Sequence, residues 1–322
     1  MSDLENSKMK QFIRDNQIGM ALIISAALFA VNIIINPASL NVNTFGSIIA
    51  LTLLLSFASA GQTLIMITGG IDLSVGAVMS MAAIFTANTM AGQEGMMPLV
   101  IAQVIPMALI VGLINGLGVV KLKLPAMVIT MCVSNVVTRL QYVYTQGLPT
   151  GTTSKFFTTT LQYRFFGVIP GMTLYAVVIF AVVLYILNRS RYGQQLFLTG
   201  NNKNAAYLTG VRSDLVEILA YVLGSLLAGI AGIIGAGYMN FVICQSLDSY
   251  TMMSIVAVVV GGTLLVGGKG SYLGTAVGSL LIIVLSNCLA VLNSSDAVRS
   301  VIMGCVLILL LAVYNKEKPI RQ

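Results

Sequence analysis

The sequence predicts an all-α polytopic membrane protein, a helical bundle of about ten transmembrane segments, with eight as the lower count. Three observations predict it. Hydrophobic residues make up 57% of 322 residues. Charged residues make up only 8%, against roughly 25% in soluble domains. Mean hydropathy is +0.94. The net charge of +7 does not indicate nucleic acid, because Lys and Arg gather in the short connections between apolar runs. Histidine and tryptophan are absent, which excludes imidazole-based triads and zinc sites. No catalytic, cofactor or metal site is expected. The cysteines Cys132, Cys244, Cys288 and Cys305 stand singly in apolar runs, where packing is their expected role.

In chain order, residues 1–16 form a polar tail with Lys8, Lys10 and Arg14. The first apolar run, 17–35, is long enough to cross a bilayer. No small-residue cleavage site follows it directly, so it reads as a retained helix. Further runs cover 46–67, 73–91, 98–120, 126–146, 172–187, 216–236, 251–266, 273–291 and 298–314. With ten crossings and a cytoplasmic N-terminus, Lys121, Lys123, Arg189, Arg191, Lys203, Arg212, Lys269, Lys316, Lys318 and Arg321 fall inside. Only Lys155, Arg164 and Arg299 fall outside, and Arg139 is intramembrane. This is the positive-inside pattern, with both termini cytoplasmic. Two connections exceed tight-turn length: 147–170, extracytoplasmic, and 188–214, cytoplasmic. The whole chain, 1–322, reads as one membrane domain.

The region 46–91 carries a single charge, Asp72, after Gly69-Gly70. A carboxylate at membrane depth is costly and should face protein, water or a pathway. Adjacent glycines weaken a helix by about 1 kcal/mol each relative to alanine. Gly69, Gly70, Asp72, Ser74 and Gly76 therefore read as a helix that stops and restarts, with Asp72 as the N-cap of the second part. Such breaks often border a substrate pathway. The competing reading is a tight hairpin without contact to cargo. Gly261-Gly262, followed by Gly267, Gly268, Gly270, Gly274 and Gly278, echoes the first break and hints at an internal repeat. The stretch around Lys269 only brushes against a phosphate-binding loop: an extra glycine precedes the lysine and Gly270 stands in the Ser/Thr place. Nucleotide binding by this chain is not expected.

The run 126–146 is unusually polar. Asn135, Arg139, Tyr142 and Gln146 share one helical face, and Ser134, Thr138, Gln141 and Thr145 form the adjoining stripe. Amides, hydroxyls and a guanidinium suit a polyhydroxylated solute, so the first face is a candidate pathway lining. Helix–helix hydrogen bonding with a snorkelling Arg139 is the alternative. Gly229, Gly232 and Gly235 suit close helix packing. In the inner connection, Asn201 or Asn202 can cap a short helix through Ala205, Ala206 and Leu208 that Gly210 ends. The segment lacks a strong aromatic or leucine face, which favours docking over lying on lipid, and the paired alanines leave room for another protein surface.

These blocks together resemble the permease subunits of ATP-binding-cassette importers for ribose, xylose, galactose and related sugars. The first block is Gly69 to Gly76. The second is Gly112, Asn115 and Gly116 with Lys121, Pro125 and Thr130. The third is Gly200, Asn202, Ala205, Ala206 and Gly210. The fourth is Gly261, Gly262 and Thr263 with Gly270, Gly274 and Gly278. The resemblance covers nearly the whole chain. It implies a bacterial inner-membrane location and a homo- or heterodimer of permeases. It also implies a cytoplasmic ATP-binding subunit seated on the third block as a coupling helix, and an extracytoplasmic solute-binding protein. The third block begins Gly-Asn-Asn where Gly-Gly-Asn is usual, and Leu140 follows Arg139 where a glycine is common. An ion-coupled secondary transporter using Asp72 is the alternative function.

Overall fold

A computed structural model describes residues 17–148 and 151–314. The helices are α1 (Gln17–Ile35), α2 (Val42–Ile67), α3 (Val75–Met90), α4 (Met97–Val120), α5 (Ala126–Thr145), α6 (Lys155–Gln162), α7 (Thr173–Asn188), α8 (Arg191–Asn201), α9 (Lys203–Leu208), α10 (Ser213–Met239), α11 (Tyr250–Val260), α12 (Tyr272–Val291) and α13 (Asp296–Tyr314). A two-stranded antiparallel hairpin, β1 (Arg164–Phe165) and β2 (Ile169–Pro170), follows α6.

Among the described residues six helices, α1, α2, α4, α5, α10 and α12, are long and apolar enough to cross a membrane; α7 and α8, bent by 61°, make a seventh if taken as one span. This corrects the expectation of about ten. Every apolar run contains a helix, but α3 has 16 residues and α11 has 11. The stretch Ala297–Val306 of α13 belongs to the same short class. At 1.5 Å per residue, α11 covers about 17 Å, roughly half the hydrocarbon core. Hydropathy overran it because Leu264 and Val266 are apolar, although the helix stops at Val260.

The core forms around α10 and α2. Helix α10 packs on α4, α3 and α2, and α12 packs on α1, α2 and α11. Glycine makes the first of these approaches feasible. A Cβ on Gly61 of α2 would lie 2.6 Å from the Gly224 carbonyl oxygen of α10. One on Gly232 would collide with the Met79 carbonyl of α3, and one on Gly229 would press on Val104 and Ala108 of α4. The glycine stripe of α10 is thus a packing surface. Exposed apolar side chains such as Ile34, Val143 and Val177 suit a lipid or partner environment. Cys288 is buried and Cys244 half-buried, but Cys132 and Cys305 are exposed, so packing accounts for only part of the cysteine set.

Neither long connection is a plain loop. Ser154 accepts the Phe157 N–H at 3.3 Å and opens α6, whose Phe157 and Leu161 are buried against Gly237. Phe166 and Gly167, both with positive φ, turn the hairpin. In the other connection Ser190 caps α8 through the Gly193 N–H at 3.0 Å, and α8 buries Leu196 and Thr199.

Candidate functional site

Helix α2 ends in a glycine-terminated reverse turn. Gly69 takes φ +86°; its N–H reaches the Met66 carbonyl at 3.0 Å and the Gly70 N–H reaches the Ile65 carbonyl at 3.1 Å. This is the Schellman arrangement, which needs a left-handed residue after the C-cap. Asp72 is fully buried, yet it is not the N-cap of α3; that position belongs to Ser74. Asp72 Oδ1 instead accepts both the Ser74 N–H at 2.7 Å and the Ser74 hydroxyl at 2.6 Å. The restart is still organised by the carboxylate, one step before the cap, as an Asx turn. Asn115 of α4 donates to the Ser74 hydroxyl oxygen at 2.9 Å, and Thr130 of α5 accepts the Leu73 N–H at 3.1 Å. Turned with its nitrogen toward the Asp72 carbonyl, the Gln62 amide brackets the Asp72 backbone at 3.2 and 3.3 Å. Gly76 lets α3 approach the start of α11: its N–H donates to Thr251 Oγ1 at 2.9 Å, and a Cβ there would lie 2.8 Å from Asp248 Cα.

The second double glycine repeats the stop. Gly262 takes φ +90°; its N–H reaches the Val259 carbonyl at 2.9 Å and the Thr263 N–H reaches the Val258 carbonyl at 3.1 Å. The two breaks meet. The Gly268 N–H donates to the Ile67 carbonyl, the last of α2, at 2.9 Å. Gly200 of α8 closes the junction: a Cβ there would collide with the Ile67 carbonyl oxygen and lie 2.7 Å from the Gly268 nitrogen. So the end of α8 rests directly on both breaks, backbone against backbone.

Beyond that junction, Asn202 accepts the Ala205 N–H at 3.0 Å and caps α9, as expected from its position. Gly210, at φ +84°, ends it, with Gly210 N–H on the Tyr207 carbonyl and Val211 N–H on the Ala206 carbonyl. The pair Ala205 and Ala206 divides. Ala205 is exposed, whereas Ala206 is 3% exposed and packs into the chain's own core with Val211. The outward surface of α9 is Tyr207 and Leu208, 73% and 84% exposed. Docking through Ala206 is therefore corrected: a six-residue helix shows one side to its own bundle. Lys203 is tied down too, 2.6 Å from Glu217 and 3.3 Å from Asp214, which also pairs with Lys121 at 3.3 Å. Burial draws the Lys203 ammonium pKa down, but the bonds and charges of Glu217 and Asp214 outweigh it and leave it above the ordinary lysine value.

The two polar stripes of α5 part company. Gln141 is buried, donating to the Ala77 carbonyl at 3.1 Å and accepting the Gln245 N–H at 3.0 Å; Thr138 is buried beside it. Asn135, Arg139, Tyr142 and Gln146 all face outward. Asn135 donates to the Met131 carbonyl of its own helix at 2.9 Å, and Tyr142 donates to Gln245 Oε1 at 3.1 Å. Gln146 lies just past the helix as its left-handed C-cap. A recess of about 320 Å³ opens between Asn135, Arg139 and Val143. A larger cavity of about 680 Å³ between α3, α4 and α5 is lined by Met81, Phe85, Met107 and other mostly apolar groups, with Gln103 as its one amide, a lining poor in partners for a sugar. The segment 240–249, which supplies Gln245, falls between the apolar runs 216–236 and 251–266 and is marked in the sequence by Asn240, Gln245, Ser246, Asp248 and Ser249, but nothing local tells that it packs on α3 and α5.

Residues 44–311 match the family described as branched-chain amino acid transport system / permease component. The chain is similar to the ribose import permease protein RbsC of Escherichia coli (strain K12), 28% identical over 303 residues that cover 92% of this chain and 94% of that protein. The RbsC protein of Bacillus subtilis (strain 168) is 30% identical over 296 residues, 88% of each chain. The autoinducer 2 import system permease protein LsrC of Yersinia enterocolitica is 29% identical over 330 residues, 99% of this chain and 89% of that one. No solved structure matches. With a membrane bundle and a family match over most of its length, the chain belongs to this family of permease components and is a transport subunit rather than an enzyme.

Proposed function

We propose that the chain is the membrane permease subunit of an ATP-binding-cassette importer for a pentose, hexose or related solute in the bacterial inner membrane. The observation that carries the proposal is α9, a capped helix whose Tyr207 and Leu208 project from the bundle while Ala206 anchors it. This fits a helix seated in the cleft of a cytoplasmic ATP-binding subunit. Lys121, Lys203 and Arg212 gather at the same end, which supports a cytoplasmic placement of that end; an even number of crossings would put both termini there. The relatives named for ribose import support a sugar as cargo.

Motion of α9 would pass along α8 into the Gly200 junction and so to both helix breaks. Outward-facing Asn135, Arg139, Tyr142 and Gln146 are too polar for lipid, and they line a central pathway against a second permease subunit. An extracytoplasmic solute-binding protein would deliver cargo at the end carrying α6 and the hairpin. The two membrane subunits then alternate between outward- and inward-open states as populations shift.

The test is Leu208→Glu. Insertion and thermal stability should stay normal, because the side chain contacts little of its own chain. Co-purification of the ATP-binding subunit and ATP-dependent uptake of D-ribose, D-xylose or D-galactose into vesicles should both fall sharply. Retained partner and retained uptake would rule out α9 as the coupling element. Ala206→Glu is a poor substitute, since it would place a charge in the chain's own core.

A further inference from the structure

We infer that the non-helical segment 240–249 carries a solute-binding subsite within the pathway, formed by Gln245 and Asp248 with Tyr142, for a neutral polyhydroxylated solute. The inference rests on the pathway reading of α5. It begins with backbone strain. Asn240 and Gln245 both take φ +63°, a conformation that side-chain-bearing residues avoid at a cost of about 1 kcal/mol or more. Strain of this kind persists only where its surroundings over-determine it, and here they do. Fully buried Ser80 of α3 accepts the Leu247 N–H at 3.0 Å and donates to Asp248 Oδ1 at 2.7 Å. Fully buried Gln141 of α5 holds the Gln245 N–H at 3.0 Å and the Ala77 carbonyl at 3.1 Å. Thr251 ties the following helix to the Gly76 N–H at 2.9 Å.

Two buried polar groups on two different helices thus hold a run of turns in a strained shape, from Asn240, which meets Thr153 of the 147–170 connection, to Asp248 beside Ser80 of α3. A loop that only joined α10 to α11 would need none of this. Irregular backbone at membrane depth is tolerated where it is enclosed by protein or lines a water-filled path. The side chains it presents are open: Gln245 and Ser249 are exposed, and Asp248 is half-buried. Tyr142, 38% exposed, is held to Gln245 across the gap at 3.1 Å. A carboxylate and an amide accept from sugar hydroxyls, the amide also donates, and a phenol offers both a ring face and a hydroxyl. One carboxylate repels an anion, and an amide and a phenol beside it supply neutral donors and acceptors, which together match the hydroxyls of an uncharged solute.

The test uses the full permease with its ATP-binding subunit in proteoliposomes, with the native cysteines replaced. Gln245→Cys and, separately, Asn135→Cys are labelled with a water-soluble methanethiosulfonate, alone and with D-ribose, D-xylose, D-galactose or glycine betaine. The expected result is labelling at both positions, slowed severalfold at Gln245→Cys by at least one sugar and not by betaine. Labelling at both positions with no sugar protection overturns the subsite and leaves the pathway standing. Failure to label Asn135→Cys overturns the pathway reading, and the subsite with it. Independently, Asp248→Asn keeps an oxygen for the Ser80 hydroxyl but removes the charge. It should raise the uptake KM about tenfold, the worth of one charge-assisted hydrogen bond, with thermal stability and maximal rate little changed. An unchanged KM also overturns the subsite.

Discussion

At Gly69 and at Gly262 a helix ends in the same way, with a left-handed glycine and two reversed hydrogen bonds to the last turn. Beyond the stop the two breaks differ. After Gly69 the chain is rebuilt by side chains: Asp72, Ser74, Asn115 and Thr130 knit three helices together, and α3 starts at Val75. After Gly262 side chains act only at the restart, where Ser271 accepts the Gly274 N–H at 3.4 Å and Thr275 meets Thr63 of α2 at 2.9 Å. Gly267 and Gly268 also take positive φ, Gly268 bonds to Ile67, and α12 starts only at Tyr272. There α11 and α12 also come together backbone to backbone: a Cβ on Gly274 would collide with the Gly261 carbonyl oxygen, and one on Gly278 with the Ala257 carbonyl oxygen. One break is held by directional polar bonds and the other by close approach. The first should respond to loss of an acceptor, the second to added volume.

Five substitutions separate the two modes, each read by thermal unfolding in detergent. Gly200→Ala should have the largest effect, because its Cβ would strike backbone atoms belonging to both breaks. A destabilisation of about 3 kcal/mol or more is expected, the upper end for overpacking. A neutral result would show that the junction is loose and that the two breaks behave independently. Asp72→Leu strands the buried Ser74 N–H and hydroxyl; at about 1–3 kcal/mol per lost partner, the expected cost is roughly 3 kcal/mol, with a lower folded yield. Gly274→Ala adds only a methyl group and should cost about 2 kcal/mol through steric conflict. If it costs nothing while Asp72→Leu is severe, the second break is not held by contact. Gly262→Ala should cost about 1 kcal/mol for its left-handed backbone. Asp72→Asn should be mildest, below about 1 kcal/mol, because asparagine keeps an oxygen for the Ser74 N–H. Equal damage from Asp72→Asn and Asp72→Leu would mean that charge, rather than hydrogen-bond acceptance, holds the first break.

Much of this is legible in the sequence where the cause is local. Gly69-Gly70 before the lone charge of an apolar region announces a stop and restart, and Asn202 with Gly210 bounds α9 at both ends. The illegible part depends on neighbours distant in the chain. Local spacing makes Asp72 the cap, but Asn115 and Thr130 hold Ser74 and Leu73 from other helices, and that arrangement leaves Ser74 as the cap residue. Helix α8 reads as loop because Gly193 and Gly200 interrupt its pattern. Those glycines are there because α8 lies on the carbonyls of Ile186, Leu187 and Ile67. Ala205 and Ala206 look alike in sequence, yet only the second is buried, since the bundle lies on one side of α9.

Composition and short-range spacing by themselves determined that this chain lives in a membrane, that its regular structure is helical, and that α2 stops at Gly69-Gly70 and α9 at Gly210. Those outcomes arise from transfer free energy and from the φ preferences of single residues, both of which act within a few positions. Only the tertiary structure decided which helices are long enough to cross, which of the two α5 stripes stays open, and that Gly69, Gly200 and Gly268 meet at one point. Depth and contact are set by the packing of segments far apart in the chain, and no local preference encodes the distance between them.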